Sequence, residues 1–119
     1  ANVFVCLMAD RDLSRSGVPV EFFGEPTRLP AGPAKLAIET GAPLHPAHVY
    51  YDGDDFVVRT DDAIDTSSGD IGTITQALAD RFAVNIAAHP QDWHMLQPLW
   101  LADLSEERRA RLLKAEDPR

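Results

Sequence analysis

At 119 residues the chain has room for one compact unit at most. Lys+Arg number 11 against Asp+Glu 19, a net charge of -8. That balance speaks against nucleic acid as a partner, because a phosphate backbone needs a basic stripe, and weakly against capture of this segment by anionic lipid. One cysteine, Cys6, excludes an internal disulfide, so the fold has to rest on its core.

The chain opens on Ala1 and enters a buried-looking segment almost at once, so further chain is expected ahead of it. Val3-Phe4-Val5-Cys6-Leu7-Met8 is a continuous apolar run with β-branched content, which predicts a strand covered on both faces. Neither a signal peptide nor a run of the ~20 apolar residues needed to span a bilayer is read. A polar stretch from Asp10 to Gly17 leads to a second short strand, Val18 to Phe23, in which Pro19 suits an edge. Gly24 to Pro33 is so rich in proline and glycine that a shaped loop is expected.

Pro33 then opens a helix that Gly41 stops. Pro43 to Tyr51 reads as a strand, Asp52-Gly53-Asp54-Asp55 as a hairpin turn and Phe56 to Thr60 as its return. Residues 61–69 are acidic and irregular. From Asp70, Ile71, Ile74, Leu78, Phe82 and Ile86 recur at helical spacing until Pro90 ends the pattern. A short turn around Trp93 follows, and Ser105 looks like the N-cap of a last helix with Glu106 and Glu107 in its first turn. The expected class is α/β, a mixed, partly parallel sheet flanked by helices.

The histidines, His45, His48, His89 and His94, do not sit at metal-ligand spacing, and no cysteine pair assists them, so no metal site is predicted. His94 and Trp93 are read as packing the final segment. The acidic series from Asp52 to Asp65 lacks the ligand frame of a calcium loop, and its Asp-Gly pair is hairpin chemistry. Cys6, inside an apolar run without basic neighbours, reads as an inert core thiol. Glu25 differs: it directly follows an apolar strand end inside a stiffened loop, where α/β sheets bind ligands. Spacing alone leaves two readings open, a catalytic or substrate-anchoring carboxylate and a surface ion pair with Arg28.

Three blocks together carry a family resemblance: Ala9-Asp10-Arg11-Asp12-Leu13-Ser14-Arg15-Ser16-Gly17-Val18, Phe22-Phe23-Gly24-Glu25-Pro26, and Pro30-Ala31-Gly32-Pro33-Ala34-Lys35-Leu36-Ala37. The chain resembles the lauroyl/myristoyl-type lysophospholipid acyltransferase superfamily. Ala79-Asp80-Arg81-Phe82, Asp92-Trp93-His94-Met95-Leu96-Gln97-Pro98 and Ala102-Asp103-Leu104-Ser105 narrow it to the actinobacterial branch acting on phosphatidylinositol mannosides.

The resemblance implies transfer of a fatty acyl group, palmitoyl, from acyl-CoA to a mannose hydroxyl of such a lipid. The protein would be peripheral, at the cytoplasmic face of the plasma membrane, with acyl-CoA as co-substrate and no other cofactor. It further implies a His-x4-Asp motif whose histidine is the general base, with Glu25 as a further carboxylate reaching that imidazole. Arg11 and Arg28 would meet phosphates of CoA or of the lipid; a surface ion pair is the alternative for each.

Five residues beyond His45, His48, His89 and His94 stand Tyr50, Gly53, His94 and Leu99, so the motif is not in this chain. Residues 1–119 are accordingly expected to be the C-terminal portion of a single acyltransferase domain, inactive alone, with the N-terminal half as its partner. The competing readings are a fragment of a lipid A-type acyltransferase and a non-catalytic binding module.

Overall fold

A computed structural model of the chain describes residues 2–12, 14 and 16–116. Strand β1, Val18–Phe22, pairs antiparallel with β2, Glu25–Leu29, in the register Val18↔Leu29, Val20↔Thr27 and Phe22↔Glu25. The alternation of β1 buries Val20 and Phe22 and leaves Pro19 and Glu21 exposed, as the pleat requires. The second half of β2 is buried at every position, Thr27, Arg28 and Leu29, because both of its faces are covered.

Helix α1, Gly32–Thr40, carries Pro33 in its first turn and ends on Gly41 at φ 70°, whose N–H donates to Ala37 O at 2.9 Å. A second antiparallel hairpin follows, β3 at Ala47–Asp52 and β4 at Asp55–Thr60, turning on Gly53 at φ 61°. Helix α2, Ile71–Ala88, is capped by Asp70, whose carboxylate accepts from Thr73 N at 2.8 Å. Two short 3-10 turns, Pro90–Asp92 and Leu101–Asp103, lead to helix α3, Glu106–Glu116, where Ser105 Oγ accepts from Arg108 N at 3.3 Å.

The core gathers Val20, Phe22, Leu29, Ala79 and Ile86, with Phe82, Trp93, Leu99 and Trp100 packed around it. It is a helix laid across a two-stranded ribbon, with the tail of the chain closing the opposite side.

The α/β character stands as read, but both sheets are two-stranded and antiparallel; the parallel part expected is not found among the described residues. The segment expected to be a shaped loop, Gly24 to Pro33, holds strand β2 and the start of α1, leaving a turn at Phe23 and Gly24 and a short link at Pro30 and Ala31. Pro26 is tolerated there because β2 is an edge of a two-stranded ribbon, with only an isolated bridge at Thr27 on its outer side. Strand β3 begins at Ala47 and not at Pro43; Pro43 and Pro46 have no N–H to give a ladder. The largest departure is at the start. Residues 3–8 form no strand and are exposed, with Phe4 92% and Met8 85% accessible, and Cys6 is an exposed thiol instead of a core one. None of the described residues buries them.

Candidate functional site

Glu25 stands at the tip of the β1–β2 hairpin. The turn residues Phe23 and Gly24 both have positive φ, 54° and 75°, the backbone of a tight two-residue hairpin turn. Gly24 suits that conformation; a phenylalanine does not, since its Cβ crowds the backbone there. The tip is nevertheless held firmly. Phe22 is 2% exposed, stacks on Trp100 at 6.0 Å and meets Trp93 edge-on at 6.1 Å. Trp100 Nε1 donates to Phe22 O at 2.8 Å, and Thr27 Oγ1 donates to Leu99 O at 2.5 Å. An antiparallel bridge joins Thr27 to Trp100.

These contacts fix the backbone on both sides of Glu25, while its own side chain is exposed and makes no hydrogen bond or ion pair among the described residues. Glu25 and Arg28, the ion pair weighed from spacing, do not meet in that way: Arg28 is buried, and its Nη2 donates to Leu112 O of α3 at 3.1 Å. The guanidinium thus ties β2 to α3.

Arg11 lies elsewhere. It lines a notch of about 600 Å³ with Asp12, Ser14, Ser16, Gly32 and Lys35, at the start of α1. Asp12 Oδ1 accepts from Ser14 N at 2.9 Å and from Ser14 Oγ at 2.6 Å, shaping the rim. A Cβ at Gly17 would fall 1.9 Å from Asp12 Oδ2 and would displace the carboxylate that shapes this rim. Lys35 was not singled out in the sequence. The signal was present: a cation in the first turn of a helix opposes the macrodipole, and an anion bound beside it would reverse the sign. Arg11 and Lys35 on one notch can together receive a phosphate or carboxylate.

The structure also joins residues the sequence kept apart. His48 and Tyr50, on the inner face of β3, stack with His89 at the end of α2; Tyr50 and His89 lie 3.9 Å apart and His48 and His89 5.7 Å. Burial, then the neighbouring His89 and Arg59, lowers the pKa of His48 below its ordinary 6.5. Beside them Asp61 accepts from Asn85 Nδ2 at 2.7 Å and pairs with Arg59 at 3.5 Å and Arg81 at 3.4 Å. Arg59 Nη2 closes the set on Asn85 Oδ1 at 2.7 Å. This network locks the end of β4 to α2. No three His, Cys, Asp or Glu residues are grouped to hold a metal among the described residues.

Comparison with known proteins decides the family. Residues 1–102 match the family model for bacterial lipid A biosynthesis acyltransferases. The chain belongs to that family. It is 69% identical over 108 residues to a phosphatidylinositol mannoside acyltransferase of Mycolicibacterium smegmatis, covering 91% of this chain and 36% of the relative. It is 67% identical over 111 residues to a phosphatidylinositol mannoside acyltransferase of Mycobacterium tuberculosis, covering 93% and 35%. The chain therefore spans about a third of the length of these relatives. Among the described residues no helix is long and apolar enough to cross a membrane.

Proposed function

We propose that the chain is the C-terminal portion of an enzyme that moves a palmitoyl group from acyl-CoA to a mannose hydroxyl of a phosphatidylinositol mannoside, at the inner face of the plasma membrane. The observation that carries this reading is the 67–69% identity to proteins of that name across nine-tenths of the chain. A sugar hydroxyl is a poor nucleophile near neutral pH, so the reaction needs a base within hydrogen-bond reach. In this reading a histidine of a His-x4-Asp motif, upstream of residues 1–119, supplies it, and Glu25 orients that imidazole and stabilises its protonated form.

Support for Glu25 comes from its setting. Its backbone is pinned by Phe22 and Trp100, and its carboxylate engages no group of this chain among the described residues. Support for an anion site comes from Arg11 and Lys35, which share one notch in a chain of net charge -8. Phosphates of CoA or of the inositol lipid are the anions this chemistry would present.

The test is acyl transfer by the full-length protein, offered palmitoyl-CoA with a phosphatidylinositol mannoside or with a lipid A precursor as acceptor. Product with the mannoside alone supports the reading. Product with the glucosamine lipid alone would replace it by the lipid A-type activity after which the family is named.

A further inference from the structure

The chain shows more surface than a finished protein of its mass. A folded 13.1 kDa monomer exposes about 6,400 Å². This chain exposes 8297 Å², roughly 1,900 Å² beyond that expectation. Its radius of gyration is 15.3 Å, against about 13.5 Å for a compact chain of this length. An excess of this size matches one side of a large, permanent interface.

Residues 3–8 contribute to that excess. Val3, Phe4, Val5, Leu7 and Met8 are 46–92% exposed, and successive side chains are apolar on both sides of the run. None of the backbone hydrogen bonds among the described residues involves residues 2–9. Beneath the run lies a groove of about 670 Å³, floored by Leu78, Phe82 and Ile86 of α2 with Trp93 beside them. A segment apolar on both sides, with no backbone hydrogen bond to any described residue, is what an interior strand looks like when one cover is missing.

We propose that residues 3–8 are an interior β-strand of the longer protein, seated on α2 from this chain and covered and hydrogen-bonded by strands from the part of the polypeptide outside residues 1–119. This rests on the reading that the chain is a portion of a longer acyltransferase, and it adds where the rest of the molecule docks. The relatives' length makes that part available, since about two thirds of each lies outside the match. A lipid surface cannot take its place, because hydrocarbon offers nothing to the unpaired amides and carbonyls of an extended run. A second copy is disfavoured by the -8 charge it would bring.

The experiment uses the full-length protein and needs no enzymatic turnover, so it is decided independently of the acyl acceptor. Cys6 is reacted with N-ethylmaleimide, peptide by peptide by mass spectrometry, in native and in guanidinium-unfolded protein, alongside hydrogen exchange of residues 3–8. The expected result is labelling slowed at least about 100-fold in the native protein, with amides as protected as those of a core strand. Labelling and exchange at the unfolded rates overturn the proposal. So does protection that appears only as protein concentration rises, which would make a second copy the cover, or only on adding phosphatidylinositol vesicles, which would make it lipid.

Discussion

Trp100 both stacks on the ring of Phe22 and donates its indole N–H to that residue's carbonyl oxygen, 2.8 Å away across 78 positions of sequence. One side chain from the tail thereby fixes the strand end from which the turn to Glu25 departs. Trp100→Phe keeps a ring for stacking and removes the donor. It should cost about 1–3 kcal/mol in denaturant unfolding, the usual consequence of stranding a buried carbonyl. A loss indistinguishable from zero would mean the bond does not hold the hairpin.

Asn85, 1% exposed, bridges Asp61 and Arg59. Replacing it with alanine removes a donor and an acceptor at once and leaves Asp61 short of a partner at a largely covered site. A destabilisation of about 2 kcal/mol is expected, read from the shift in the urea midpoint. Asn85→Ala at wild-type stability would show that water substitutes for the amide.

His48 sets a pH dependence. Its pKa is lowered by burial and by the neighbouring His89 and Arg59, with Asp61 and Asp92 acting in the opposite sense. The unfolded chain therefore binds the proton more readily than the folded one. Stability contributed by neutral His48 is complete above pH 6.5 and declines as the pH falls below it. His48→Gln should flatten that decline in thermal unfolding curves taken across this window. An unchanged slope would assign the pH dependence to another group.

Asp70 gives a second, lower window. Hydrogen bonds from the Thr73 hydroxyl and N–H depress its pKa below 3.8, so its capping of α2 is intact above that pH and is lost as the carboxylate protonates below it. Asp70→Ala should lower the Tm at neutral pH and leave it little changed in strong acid. Equal losses at both would separate the cap from its charge.

The hairpin β3–β4, both main helices and the stop of α1 were legible because each is a local signal: Gly53 in an Asp-Gly turn, Gly41 after the last residue of α1, Ile74 and Leu78 at helical spacing. Strand β2 was hidden by Pro26 and Pro30, which mark turns unless the strand is an edge. Residues 3–8 read as buried from their own composition, and the described residues leave them exposed. The position of Glu25, just past the apolar end of β1, was legible from the sequence. The burial of Arg28 under α3 and the convergence of Arg11 with Lys35 were not, since both depend on contacts between distant segments. The His48–Tyr50–His89 stack was invisible for the same reason.

Catalysis in the proposed reading turns on the carboxylate of Glu25, and the most direct measurement is the steady-state turnover of the full-length Glu25→Gln variant with palmitoyl-CoA and a phosphatidylinositol mannoside. Turnover should fall by about 10²–10⁴, the worth of a positioned acid–base partner, with thermal unfolding unchanged because the exposed side chain bears no part of the fold. Wild-type turnover in that variant would contradict the assignment and remove Glu25 from the mechanism.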